Sequence, residues 1–282
     1  MITTKMFYAH QGAELLMTAY EPDVPPLGVI QIVHGFGEYS GTYDELMTFF
    51  MKHGYIAVIH DQRGHGALFQ GKNAGIVSSY DDMLCDIETV RSHIQQKYPG
   101  LPISLIGHSM GGNAATYVAI NDIKQPYKNV ILEAPWFELY QPLSPVMHKL
   151  AKILGQMSPR FTKNTKLDRE LVTRDPEAQQ MMAHDILRHH TMSLRLISRV
   201  LDIGRYNHTY AHQLRTPTLL MIPEKDQICS TDAMRTFAQC AGDIVTVKEY
   251  PGGYHCLHHD LNKQDVFNDM HAFIKGNALN QH

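Results

Sequence analysis

The stretch Ile103-Ser-Leu-Ile-Gly107-His-Ser109-Met-Gly111-Gly-Asn-Ala-Ala-Thr116 decides the reading of this chain. Ile103 to Ile106 is a short apolar strand, and an Ala- and Val-rich helix follows Gly112. Between them lies Gly-x-Ser-x-Gly, the pattern of a sharp strand-to-helix turn that lifts a serine hydroxyl clear of a sheet. Flanking side chains must be small for so tight a turn, hence Gly107 and Gly111. The helix start supplies backbone N–H groups and a positive dipole end near the reacting oxygen. A helix-capping serine after a glycine-rich turn is the bland alternative. Ser109 is therefore a candidate nucleophile.

Working outward, similar strand-then-loop units recur. Val29–Val33 runs into His34-Gly-Phe-Gly-Glu38, and Tyr55–His60 into Asp61-Gln-Arg-Gly-His-Gly66. Val130–Glu133 ends at Ala134-Pro135. Helical spacing separates them over 42–53 (Tyr43, Leu46, Phe49, Phe50) and over about 80–98. Two further strands, Met6–His10 and Glu14–Tyr20, come first. Alternation of this kind predicts a mainly parallel sheet with helices on both faces, whose ligands sit at the carboxyl ends of the strands. The alternation breaks over 136–206, which shows no strand pattern. Val146, Met147, Leu150, Ile153, Leu154 and Met157 share one helical face; Leu194, Ile197, Val200 and Leu201 share another. Strands return at Thr218–Ile222 and Ile244–Tyr250, and a last helix spans about 265–274. The division predicted is a core over 1–135 and 207–282, with a helical insert over 136–206.

A serine hydroxyl needs a base, and the base an acid. With the expected order Ser, acid, His, the acid falls after the next-to-last strand and the base after the last. Those positions select Asp226 and His255; Glu224, Asp232, Asp243, His258 and His259 are the rivals. The loop beginning His34-Gly35 supplies one oxyanion donor, the N–H of Phe36, and Met110 N–H supplies the other. Asp61 and Arg63 read as a structural pair. The histidines at 184, 189, 190, 258 and 259 have no recognised ligand spacing, so neither metal nor cofactor is expected.

Bulk composition agrees with a soluble enzyme: 282 residues, 44% hydrophobic, 19% charged, net charge −3. No basic stretch interleaved with aromatics suggests nucleic acid. No apolar run reads as a signal peptide or membrane span. Four scattered cysteines form no framework, which points to the cytoplasm.

Together, His34-Gly-Phe-Gly-Glu-Tyr-Ser-Gly-Thr-Tyr43, Gly107-His-Ser-Met-Gly-Gly112, Glu224-Lys-Asp226 and Tyr250-Pro-Gly-Gly-Tyr-His-Cys-Leu-His-His-Asp-Leu261 resemble the monoacylglycerol lipase and lysophospholipase family of α/β-hydrolases. The resemblance extends into the insert at Thr173-Arg-Asp-Pro-Glu177 and Asp185. It implies the α/β-hydrolase fold and cofactor-free cleavage of esters with medium or long acyl chains, by Ser109, Asp226 and His255. It also implies that Glu38 and His258 line the alcohol pocket, and that the cap touches membrane surfaces transiently. The chain departs from the family at Thr42, where Arg is common, near Met181 or Met182, where a cap Tyr is expected, and at Phe36, usually smaller. Rival expectations are a small aryl or hydroxycinnamoyl esterase, a peptidase releasing short N-terminal residues, and a slowly turning-over ligand receptor.

Overall fold

The computed structural model describes residues 1–122, 127–165 and 168–276, without the side chain of Lys72. Strands β1 (Ile2–Tyr8) and β2 (Glu14–Tyr20) form an antiparallel pair at one edge. Then come β3 (Val29–Val33), α1 (Asp44–Lys52), β4 (Ile56–His60), α2 (Tyr80–Lys97), β5 (Ile103–His108), α3 (Met110–Asn121) and β6 (Asn129–Glu133). The chain next leaves the sheet for α4 (Pro145–Met157), β7 (Thr162–Asn164), α5 (Arg169–Val172), α6 (Pro176–His184), β8 (Thr191–Ser193) and α7 (Leu194–Thr209). It returns as β9 (Thr218–Pro223), α8 (Thr231–Ala241), β10 (Val245–Tyr250) and α9 (Lys263–Lys275).

Eight strands make one sheet in the order β1-β2-β4-β3-β5-β6-β9-β10. It is parallel from β4 to β10, and β2 joins β4 antiparallel. The inner strands are buried on both faces, which is why they read as continuous apolar runs rather than alternating ones. One core cluster packs α2, α3 and α7 on one face, and a second packs α1 and α9 on the other. This is the mainly parallel α/β-hydrolase architecture expected.

Three details differ from expectation. The first strand lies at Ile2–Tyr8, earlier than Met6–His10; as an exposed edge it carries little hydrophobic signal. The segment between β6 and β9 contains a small antiparallel hairpin, β7 with β8, whose three-residue strands are too short to show a period. Helix α7 continues to Thr209, past the predicted boundary at 206.

Candidate active site

Ser109 sits between β5 and α3 with φ 51° and ψ −115°, a left-handed backbone that a non-glycine residue adopts only under constraint. The constraint is visible. Ser109 N–H donates to the Glu133 carbonyl at 3.0 Å, and the Ser109 carbonyl accepts from Trp136 N–H at 2.9 Å. A Cβ on Gly111 would collide with the backbone of Val33 and His34, and one on Gly107 with that of Gly111. The turn thus requires the glycines that flank it.

Three residues from three strand ends meet there. His255 Nε2 lies 3.0 Å from Ser109 Oγ, and His255 Nδ1 lies 2.7 Å from Asp226 Oδ2. The other Asp226 oxygen accepts from the N–H groups of Ile228 and Cys229 at 2.8 and 3.0 Å. Burial alone would lower the His255 pKa; the Asp226 charge and hydrogen bond outweigh it and raise the pKa above its ordinary value. The rival acids lie elsewhere. Glu224 is exposed and accepts from Gly252 N–H, and Asp232 pairs with Arg235 on α8.

Phe36 and Ser109 line the same pocket, and Met110 N–H opens α3. The pocket is a cavity of 380 Å³. Much of its wall is apolar, from Trp136, Leu139, Leu143, Met147, Leu194 and Ile197. Its polar lining includes Glu38, His108, Arg188, Lys163 and Asp168.

Glu38 is buried, and its carboxylate is already engaged. Oε2 accepts from Gly35 N–H at 2.9 Å and Tyr43 O–H at 2.7 Å; Oε1 accepts from Arg188 Nη2 at 3.3 Å. Burial raises its pKa, but the fields of His108, Arg188 and His258 and the Tyr43 hydroxyl hold it well below the usual range. His258 is not among the pocket-lining residues, contrary to expectation. It is stacked on Tyr43 and held by Glu133, its N–H at 3.1 Å and its Nδ1 at 2.9 Å from Oε1. Burial lowers and the Glu133 charge raises the His258 pKa, with a net rise; Glu133 itself falls to about 2. A buried carboxylate demands such a counter-charge, and the bonds to Glu133 hold the imidazole in place.

The Asp61-to-Gly66 loop is structural, though not through an Asp61–Arg63 pair. Arg63 Nε donates to Asp86 at 2.7 Å, and Asp61 Oδ1 accepts from Ser40 N–H at 2.7 Å. Gln62 N–H donates to His34 Nε2 at 2.9 Å.

The sequence alone leaves Glu133, Tyr43, His108 and Arg188 without a site role. Glu133 carries a signal: a carboxylate ending the apolar run Val-Ile-Leu must find a buried partner. Arg188 carries none, standing 150 positions from Glu38. Among the described residues, His108, Glu133 and His258 have ligand atoms within 4.8 Å of one another, as do Glu38, His108 and Cys256. These could surround a metal ion, but protein donors already satisfy their carboxylates. His184, His189 and His190, grouped in the sequence, are in no such set.

The family described as serine aminopeptidase, S33 matches residues 24–262. The chain belongs to that family. A monoacylglycerol lipase of Mycolicibacterium smegmatis is 28% identical, the match covering 93% of each chain. The human monoglyceride lipase is 27% identical over 93% of this chain and 87% of its own. Among solved structures, a soluble variant of the Saccharomyces cerevisiae monoglyceride lipase, in complex with a substrate analog, superimposes with a TM-score of 0.82. That match has 24% identity and covers 99% of this chain and 96% of the other. The resemblance drawn from the motifs holds: this family member is a monoacylglycerol lipase-like hydrolase. Among its described residues, no helix is long and apolar enough to cross a membrane.

Proposed function

We propose that this hydrolase cleaves carboxylic esters with apolar acyl chains by two-step acyl transfer on Ser109. The observation that carries the reading is the continuous contact Asp226–His255–Ser109 at the head of a largely apolar pocket. Ser109 Oγ attacks the ester carbonyl while His255 Nε2 takes its proton. Asp226 holds the imidazole in the correct tautomer and stabilises its cation. The N–H groups of Phe36 and Met110 receive the oxyanion, worth roughly 3–4 kcal/mol for each donor. The tetrahedral intermediate collapses, His255 protonates the departing alcohol, and water repeats the sequence on the acyl-enzyme.

Residues 136–206 act as a cap between the two parts of the core. Met147, Ala151, Leu194 and Ile197 cover the acyl chain, and Glu38 lines the side that receives the alcohol. The outward apolar side chains of α4 rest against the membrane surface that holds the lipid substrate. The four cysteines are free thiols, in keeping with a cytoplasmic setting. Glu38, engaged by Arg188, Tyr43 and Gly35, is poorly placed to bind the α-ammonium group of a peptide substrate.

A fluorophosphonate probe and p-nitrophenyl esters from acetate to palmitate test the reading. Labelling lost in Ser109→Ala, with a preference for the longer acyl chains, is the expected result. Labelling that survives the substitution refutes the nucleophile. A sharp preference for acetate or for aromatic acyl groups refutes the acyl pocket and points to a small-ester esterase. Labelling without turnover points to a receptor. Wild-type kcat in Asp226→Asn would reject the acid.

A further inference from the structure

The stretch from Arg188 to Ser193, between α6 and α7, lies directly on the loop that carries Phe36. Arg188 reaches Glu38, and His189 N–H donates to the Gly37 carbonyl at 3.4 Å. The His189 ring stands edge-on to the Phe36 ring, 5.3 Å between centroids. The contact is close at the backbone: a Cβ on Gly37 would strike the His189 carbonyl, and one on Gly75 the Thr191 carbonyl. Ser193 N–H and Oγ then donate to the carbonyls of Gly75 and Val77, at 3.0 and 3.3 Å. This stretch is fastened to the core and is part of the wall of the site.

What it fastens is soft by sequence. Phe36 lies between two glycines, and its N–H shares a peptide plane with the Gly35 carbonyl. That carbonyl accepts from His34 Nδ1–H at 2.8 Å, a tautomer enforced by Gln62 N–H at Nε2. The other face of Gly35, its N–H, is held by Glu38 Oε2. Turning the Gly35–Phe36 peptide would break the His34 bond, and Glu38 fixes the adjoining His34–Gly35 peptide from which it would have to turn. Glu38 can hold Gly35 only while its own charge is compensated, because a buried carboxylate without a counter-charge is costly.

We propose that Arg188 is a positioning residue for the oxyanion loop: by pairing with Glu38 it fixes Gly35, and so aims the Phe36 N–H. This rests on the reading of Ser109 as nucleophile and Phe36 as oxyanion donor. Arg188 contributes its charge through Glu38 and needs no contact with the reacting atoms.

The test uses the full chain with Arg188→Met and Arg188→Lys, and a glycerol ester and a methyl ester of one fatty acid. Phenylboronic acid is the probe of the oxyanion hole: Ser109 Oγ adds to boron, its proton passing to His255, and the tetrahedral adduct places an oxygen in the hole. In Arg188→Met we expect kcat to fall by about tenfold or more on both esters. KM should stay within about twofold, and the boronate Ki should rise by the same factor as kcat falls. Arg188→Lys should recover part of both. If the Met variant does not fold, the Lys variant decides, with kcat and boronate affinity falling together by about threefold. Unchanged kcat and Ki in the variant that folds overturn the proposal. A loss confined to the glycerol ester also overturns it, and makes Arg188 a reader of the alcohol instead. Failure of the underlying reading looks different: Ser109→Ala would then keep its turnover and its fluorophosphonate labelling.

Discussion

Helices α4 and α7 pack against each other, and both carry a clear apolar stripe in the sequence, yet they use it in opposite ways. In α7, Leu196, Ile197, Val200 and Ile203 are buried in the core. In α4 the stripe faces out: Val146 is 75% and Met157 71% exposed, and Met147, Leu150 and Ile153 are exposed as well. The face α4 turns inward is made of His148, Ala151 and Gly155. Small residues let the two backbones approach, so that Arg195 Nε donates to the Gly155 carbonyl at 2.7 Å. A hydrophobic period therefore reports a helix and a face, but not what covers that face. Of this stripe Met147 reaches the pocket, together with Ala151 from the opposite face, whereas Val146, Leu150, Ile153 and Met157 look outward.

The largest effect expected lies on the buried helix. Ile203→Ala should cost about 2–5 kcal/mol of unfolding free energy, read by urea denaturation, because it removes a fully buried side chain from α7. A loss below about 1 kcal/mol would place α7, like α4, on the loose side of the molecule.

Next comes the acid response of the fastened stretch. Burial lowers the His189 pKa to about 4 and the His65 pKa well below its ordinary value. Between the unfolded value near 6.5 and these native values, the unfolded chain takes up protons that the native one refuses. Stability therefore falls as pH falls through this window, by at most about 1.4 kcal/mol per pH unit for each histidine. In His189→Gln the slope between pH 6 and about pH 4.5 should flatten by about that amount. An unchanged slope would mean that His189 is solvated, and that the stretch carrying it is as loose as α4.

Much of this architecture is legible in the sequence itself. The inner strands and their loops can be read because a parallel sheet buries both faces and leaves functional residues at one end. Ser109 can be selected by its Gly-x-Ser-x-Gly turn, and Asp226 and His255 by strand order, although their assembly is a fact of three dimensions. The β7–β8 hairpin is not legible, since Thr162-Lys-Asn and Thr191-Met-Ser have no period to detect. Nor are the partners of buried charges. Arg63 pairs by sequence with its neighbour Asp61, whereas its carboxylates come from α2. The family resemblance puts His258 at the pocket, because nothing local reveals its tie to Glu133. Local periodicity is written along the chain, whereas charge compensation is settled across it.

The outward stripe of α4 sharpens the comparison from the other side. In Val146→Ser combined with Ile153→Ser, binding to phosphatidylcholine vesicles should drop roughly tenfold by co-sedimentation, since apolar area is lost from the face proposed to rest on the membrane. Turnover of a short, freely soluble ester should change far less than turnover of vesicle-held substrate. Equal losses on both would place these side chains in the catalytic pocket instead.

The smallest effect is also the most discriminating. Met157 ends α4 on the outward face, so Met157→Ala exchanges one good helix former for another and deletes little buried area. Its unfolding free energy should stay within about 0.5 kcal/mol of wild type in urea. The same substitution should still weaken vesicle binding if the outward face meets the membrane as proposed, because the thioether is lost from that face only. A destabilisation of about 2 kcal/mol in the absence of lipid would mean that the stripe is already covered in solution, by a second copy of the chain. The cost would then depend on protein concentration, since dissociation would precede unfolding. A dilution series of the denaturation midpoint separates an outward face that waits for a membrane from one that has already found a partner.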